Sequence, residues 1–281
     1  MSISPTEENE LDGKVAVITG ASSGIGEAVA RAFARQGAAV VLAARTQSAL
    51  DRVATGIETK GGRALAIATD VAHPGAAASL LERASAHFGG VDILVNNAGV
   101  NHRGAVEERS PEELAQMVNV NLTAPILLTH AALPHLRRRG AGTVVNVASL
   151  AGRVPLPHEA TYSATKFGLR AFSFALAEEL AGSKIRISVV SPGPVETGFI
   201  LTDLEHVPDL VFSQPMSTAE DIAALVVEAA RGGARETTPS LGSRYATTFG
   251  YLFPAVRRAF TPLLERRGRA AKERYVRRAT S

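Results

Sequence analysis

No cysteine occurs in the 281 residues. That absence excludes a disulfide framework, a thiolate metal site and a thiol nucleophile, and it makes a reducing, cytoplasmic setting the expectation. Lysine and arginine are missing ahead of Lys14, while Glu7, Glu8 and Glu10 make the start acidic. This is the wrong charge and hydropathy for a secretory signal or transit peptide, so residues 1–12 are expected to form a flexible tail. From Leu114 to Leu136 there is no Asp, Glu, Lys or Arg, a length at which a membrane span has to be considered. Gln116, Asn119, Asn121, Thr123, Thr129, His130 and His135 are too many polar groups for lipid, so a long helix buried within protein is expected there instead. The seven histidines are scattered without ligand spacing, which indicates no metal site.

A nucleic-acid surface is also unsupported. The net charge of +3 conceals an asymmetry: residues 240–281 hold ten Arg or Lys against Glu265 and Glu273, a net +8, which leaves −5 for the rest. The main body has no basic patch, and any polyanion or membrane contact would have to be made by the last forty or so residues.

What is present reads as one α/β domain with enough apolar content, 46%, for a large core. Short β-branched runs at Val15–Thr19, Val40–Ala43, Ala64–Ala68, Ile93–Val95, Thr143–Val147 and Ile187–Ser191 predict strands buried on both faces. Helical spacing fills the intervals: Ile25, Val29, Ala32 and Phe33 ahead of Gly37, then Leu50, Val53 and Ile57 ahead of Gly61 and Gly62. Ser110-Pro111-Glu112-Glu113 combines an N-cap, a first-turn proline and a capping-box glutamate, and Arg137-Arg138-Arg139-Gly140 supplies cations and a stop. One helix of about 111–139 fits between them. Such alternation gives a doubly wound, mostly parallel, Rossmann-like sheet with helices on both faces and its ligand crevice at the strand C-termini. The domain is expected over residues 13–239, followed by a basic, partly helical extension over 240–281.

Directly after the first strand comes Thr19-Gly20-Ala21-Ser22-Ser23-Gly24-Ile25-Gly26. Its glycines let backbone N–H groups approach a pyrophosphate at a helix N-terminus. Asn96-Asn97-Ala98-Gly99 follows the fourth strand and Asp70-Val71 the third. With the glycine loop spaced GxxxGxG, this set resembles the short-chain dehydrogenase/reductase family, over roughly Gly13 to Gly233. The resemblance implies about seven strands, a dinucleotide held by Gly20, Ser22, Ser23, Gly24, Ile25 and Gly26, and adenine contacts from Asp70 and Val71. It also implies cofactor contacts from Asn97, Ala98 and Gly99, although Asn97 has an alternative use as a loop-closing amide and Asp70 as a turn carboxylate. At the end of the second strand the family's NAD-preferring members carry an acidic residue; Ala44 stands there, followed by Arg45, whose guanidinium suits a 2′-phosphate. NADP(H) is therefore expected over NAD(H).

Tyr162 and Lys166 are four apart on one predicted helix, Thr161 to Ala181. An ammonium beside a phenol favours phenolate and is expected to lower its pKa, as would a positive nicotinamide. Ser149 ends the fifth strand thirteen residues earlier, where its hydroxyl can polarise the same substrate oxygen. The family resemblance makes these its Ser-Tyr-Lys trio, with Asn121 as a fourth member that bends the long helix and holds a water in a proton relay; Asn119 is expected to be structural. Ser191-Pro192-Gly193-Pro194-Val195-Glu196-Thr197 matches the segment whose Pro192, Gly193, Val195 and Thr197 meet the nicotinamide end, where Tyr162 and Lys166 are also implied.

Between Gly198 and Met216 lie Phe199, Ile200, Leu201, Leu204, Val207, Leu210, Val211 and Phe212, where the family builds its substrate loop. They imply an apolar ketone or secondary alcohol, or equally a loop packed by its own side chains; His158 is expected as an exposed loop residue. In the extension, Phe249, Tyr251, Phe253 and Phe260 precede most of the arginines. Packing on the domain or on a sister subunit is expected ahead of a peripheral membrane contact, and a homo-oligomer, dimer or tetramer, is expected overall. The whole reads as an NADP(H)-dependent oxidoreductase. The alternatives are an NAD-dependent relative and a non-catalytic dinucleotide sensor, the latter disfavoured by the intact trio.

Overall fold

The computed structural model describes residues 11–279, with side chains through 276. The first ten residues of the expected tail lie outside the described residues. Seven strands, β1 Val15–Thr19, β2 Ala39–Ala44, β3 Arg63–Ala68, β4 Ile93–Asn96, β5 Gly142–Val147, β6 Ile185–Val190 and β7 Glu236–Thr237, form one sheet. Its order is β3-β2-β1-β4-β5-β6-β7 and every pairing is parallel. The reversal on either side of β1 is the switch point of a doubly wound sheet, where the strand ends diverge and leave a crevice.

Alternation along the central strands explains the two-sided core. Ile18, Val40 and Leu42 pack with Val29 and Phe33 of α1 (Gly24–Arg35), with Leu50 of α2 (Gln47–Glu58) and, further along the same cluster, with Ile222 and Val226 of α8 (Ala219–Arg231). Val17, Val41 and Leu94 turn the other way, into a cluster with Leu80 and Leu81 of α3 (Ala76–Phe88), Leu128 and Leu136 of α5 (Ala124–Arg138), and Leu176 of α6 (Ala160–Glu179). The expectation of strands buried on both faces fails for β3, an edge strand that is mostly half-exposed: no neighbour covers its outer side. The seventh strand that the resemblance implies is the two-residue β7, which no apolar run marks in the sequence.

The helix expected over 111–139 is present as α4 (Pro111–Val118) and α5, joined by a π turn at Asn119–Thr123. Ser110 and Glu113 cap it reciprocally: Ser110 Oγ accepts from Glu113 N at 3.2 Å and Glu113 Oε2 from Ser110 N at 3.0 Å. After β6 come a short α7 (Gly198–Leu201) and two 3-10 turns, then α8; the chain ends in α9 (Leu241–Leu252) and α10 (Pro254–Ala279). No helix among the described residues is long and apolar enough to cross a membrane.

Candidate active site

A cavity of about 530 Å³ opens where β1, β2, β4, β5 and β6 end. Its floor begins at the glycine loop. Gly20 and Gly24 have φ of +66° and +55°, in the left-handed region that glycine tolerates best. Gly26 is needed for a different reason: a Cβ there would lie 2.1 Å from the Gly20 carbonyl oxygen and 2.6 Å from Asn97 Nδ2. The loop is thus drawn tight against the β4 end, and Asn97 does the drawing, its Nδ2 donating to Thr19 O at 2.9 Å while Thr19 Oγ1 accepts from Asn97 N and Ala98 N. Of the two uses expected for Asn97, loop closure is the one its side chain makes. Ser23, the residue before α1, makes no capping bond, so the first N–H groups of α1 are not taken up by it and an anion can use them.

The outer side of the loop is held by a pair the motifs did not reveal: Arg52 donates to Ser22 O at 2.9 Å and to Glu27 at 3.0 Å. At the end of β2, Ala44, Arg45 and Thr46 line the cavity at the start of α2, whose first turn has no acidic residue. Arg45 is exposed and has no hydrogen-bond or ion-pair partner among the described residues. Asp70 and Val71 line the same end, with Asp70 Oδ1 also accepting from Ala72 N at 3.0 Å, the turn use foreseen for it.

At the opposite end Ser149, Tyr162 and Lys166 meet. The backbone after β5 reaches α6 only because Gly152 has no side chain; a Cβ there would stand 2.7 Å from Lys166 O. Tyr162 and Lys166 are buried, at 8% and 4% exposure. Ser149 Oγ accepts from Ala151 N at 3.1 Å, and the Ser149 hydroxyl favours the ionised phenol. Lys166 Nζ donates to Val147 O at 3.0 Å and stands 5.7 Å from the Tyr162 ring centre. The electrostatics correct one expectation. Tyr162 is not lowered in the protein alone: burial pushes the phenol well above its ordinary value, and the nearby Glu159 carboxylate adds to this, outweighing the Ser149 hydroxyl. Burial also pulls the Lys166 ammonium down to about 8, because neither charged form is well solvated there.

Asn121 is fully buried but sits behind the cavity wall. Its Oδ1 accepts from Val100 N and its Nδ2 donates to Val100 O, both at 2.8 Å, and Nδ2 is 3.4 Å from Thr165 Oγ1. The π turn that carries it swings this amide out of the helical ladder and fastens the segment after Gly99 to the helix. Asn119, at the start of the turn, is exposed. Pro192, Gly193, Val195 and Thr197 line the cavity beyond β6, with Pro192 O accepting from Leu150 N at 2.8 Å and Thr197 against Gly24.

Two parts of the wall escaped the sequence reading. Arg103 and Glu159 form a buried ion pair at 3.2 Å, and Arg103 also reaches Asp203 at 3.1 Å and Phe199 O at 3.2 Å. It ties the segment after β4 to α6 and to the α7 loop. A pair this far apart in sequence leaves no motif; only the spacing of Glu159 three before Tyr162 hinted at a shared face. The second part is the extension, where Thr247 and Gly250 of α9 and Thr261 and Leu264 of α10 line the cavity. Of the α7-loop residues, Phe199, Ile200, Val207, Leu210 and Val211 line it too, while Ile200, Val207 and Phe212 also form their own small core. The packing of the loop by its own side chains is thus present, in a loop that also borders the cavity. His158 is exposed.

Comparison with known proteins gives the same picture. A family model described as short chain dehydrogenase matches residues 14–205. Ketoacyl reductase HetN of Nostoc sp. (strain PCC 7120) is 37% identical over 227 residues, 80% of this chain and 78% of its own. A short chain dehydrogenase from Burkholderia cenocepacia J2315, crystallised with NADP, superposes with a TM-score of 0.77 at 34% identity, covering 84% of this chain and 100% of that one. A metagenomic short-chain oxidoreductase, also in complex with NADP, superposes at 0.70 with 35% identity, over 82% and 99% of the two chains. Sequence identity at this level extends across both the dinucleotide crevice and the trio around Tyr162, and so this chain belongs to the short-chain dehydrogenase/reductase family, enzymes that act on CH–OH groups.

Proposed function

We propose that the protein interconverts a carbonyl and a secondary alcohol on an apolar small molecule, using NADP(H). The observation that carries this reading is the meeting of Ser149, Tyr162 and Lys166 at one end of a cavity whose other end is the glycine loop. The dinucleotide fits the residues present: the tight loop of Gly20, Gly24 and Gly26 and the α1 N-terminus suit a pyrophosphate, Asp70 and Val71 the adenine, and Pro192, Gly193, Val195 and Thr197 the nicotinamide end. When bound, that cofactor supplies or takes up the hydride.

The chain itself handles the proton. Tyr162 Oη is protonated at neutral pH, since burial keeps the phenol high, so it is ready to give its proton to the carbonyl oxygen in reduction. Ser149, which lines the cavity with the phenol, steadies the oxygen that receives it. Lys166, close behind the ring, offsets the charge left on Tyr162. Asn121 acts through Val100 and Thr165 as a positioning residue. Arg103 and Glu159 satisfy each other, and Phe199, Ile200 and Leu264 favour an apolar skeleton. A panel of ketones and aldehydes assayed by NADPH oxidation tests the reading; turnover of small polar carbonyls only would overturn the substrate class.

Cofactor preference rests on Arg45, which has no partner of its own and shares its end of the cavity with no carboxylate at Ala44. Arg45→Ala is expected to weaken NADPH by about tenfold, the modest size reflecting solvent screening, and to leave NADH unchanged. Titration of both cofactors by fluorescence checks it. Equal losses would make Arg45 a structural residue, and a wild-type preference for NADH would reverse the assignment.

A further inference from the structure

The two C-terminal helices have one committed face and one that is exposed. On the committed side, Arg257, Thr261, Leu264, Gly268, Ala271, Lys272 and Tyr275 recur at helical spacing along α10 and point to the domain. Gly268 lies so close to the turn at Asp209 that a Cβ would stand 1.9 Å from Asp209 O. Lys272 Nζ donates to Val207 O at 2.8 Å, Arg269 pairs with Asp209 at 3.0 Å and Tyr275 packs on Phe212. The extension therefore packs on the domain, as expected, and of the aromatic residues expected to do it Tyr251 packs on Phe167 of α6, ring centres 5.5 Å apart, while Phe249, Phe253 and Phe260 are exposed.

Those aromatics face outward. On α9, Leu241, Tyr245, Phe249 and Leu252 form one stripe, 51–70% exposed, at spacings of four, four and three. At the junction and along α10, Phe253, Val256, Phe260 and Leu263 form another, 39–63% exposed, at spacings of three, four and three. Phe249 and Phe253 join them, ring centres 4.8 Å apart. In sequence these residues run ahead of the arginines without obvious period; the break between the helices at Phe253 divides them into two regular stripes. Arg244, Arg266 and Arg267 accompany the stripes, exposed and with no side-chain partner among the described residues.

We infer that this face of α9 and α10 docks on an anionic lipid surface. An apolar stripe flanked by unpaired arginines matches a bilayer whose acyl boundary takes the aromatics and whose headgroups take the guanidinium groups. Charge decides against a second copy of the chain as the occupant: a two-fold interface sets a patch against itself, which would bring two segments of net +8 together. The inner faces of the same helices line the cavity through Thr247, Gly250, Thr261 and Leu264, so docking also holds the cavity roof at the bilayer, where an apolar substrate is concentrated. This last consequence rests on the function proposed above; the docking does not.

Co-sedimentation of the full chain with phosphatidylcholine vesicles, with and without phosphatidylglycerol, tests it. The wild type is expected to pellet only with the anionic vesicles and to be released when salt shortens the Debye length to about 3 Å. R244Q/R266Q/R267Q should weaken partitioning by about a hundredfold, and F253S/F260S should abolish it, both with unchanged melting temperature and unchanged NADPH oxidation on a water-soluble ketone. Absence of wild-type binding to anionic vesicles overturns the inference. So does a dimer, seen by light scattering, that these substitutions dissociate while no vesicle is bound, which would make the face a subunit interface. Loss of vesicle binding in the variants supports docking even if no ketone is turned over, so failure of the proposed chemistry and failure of docking are read separately.

Discussion

Tyr162→Phe is expected to lower kcat by at least about 10²-fold while NADPH still binds, because the change removes only the proton-bearing oxygen. The ring, 8% exposed and beside Phe199 at 6.1 Å between centres, stays packed. The two directions should also differ in pH dependence. Reduction needs the protonated phenol, which burial and Glu159 favour, so its rate should stay level through neutral pH. Alcohol oxidation needs the phenolate and should climb as pH rises. Lys166 works against this climb: its ammonium loses charge above about pH 8 in the protein alone, and with it the stabilisation of phenolate. Steady-state rates in both directions, together with NADPH binding by fluorescence, check this. More than about a tenth of wild-type kcat in the phenylalanine variant would remove Tyr162 from its proposed role.

Glu236→Ala is expected to be the most destabilising single change, costing about 3–5 kcal/mol and lowering Tm by about 10 °C. Glu236, on the two-residue β7, accepts from Arg153, from Arg170 at 2.8 and 3.0 Å and from Ser191 at 3.0 Å. Arg153 in turn donates to Thr247 at 3.1 Å and Thr248 at 2.7 Å of α9. One carboxylate thus joins the loop after Ser149, α6, the end of β6 and the extension; without it Arg153 is a buried charge with no counter-ion. Burial raises the Glu236 carboxyl, but the hydrogen bonds and charges of Arg170 and Arg153 outweigh it and hold the group at about 2, below the ordinary 4.5. A depressed carboxyl stabilises the fold above pH 4.5, and that contribution is lost as pH falls from 4.5 towards 2. Glu236→Gln should therefore flatten the fall of Tm with acid over that window. A Tm change of less than about 2 °C in the alanine variant would show that the network is dispensable.

Most of the cofactor crevice was legible because its chemistry is local. Gly20, Gly24 and Gly26 stand within one turn, Tyr162 and Lys166 within another, and a strand end followed by a helix start leaves few places for such a loop to go. Short-range spacing also located the capped start of α4 and, through the resemblance, the place of Asn121 in the long helix, though not the geometry of its π turn. Arg45 was located by the same reasoning, since it directly follows β2 at the cavity.

The remaining features arise from residues distant in sequence, and no spacing encodes them. Arg103 meets Glu159 and Asp203, Arg153 meets Glu236 and Thr247, and Arg52 meets Ser22; each pair is joined only when strands and helices are assembled. The protonation of Tyr162 belongs here as well: from sequence, Lys166 alone argued for a lowered phenol, whereas burial and Glu159 raise it. The outward stripes of α9 and α10 came from a helix break ahead of Pro254, and which faces that break leaves uncovered depends on how both helices dock. By itself, then, the sequence determined the doubly wound sheet, the dinucleotide loop and the identity of the proton-bearing tyrosine's helix, because backbone conformation and periodicity are local properties. Only the tertiary structure decided which charges are paired, how the tyrosine titrates, and which faces of the extension close the cavity or stay open, because burial and long-range contact exist only in the assembled fold.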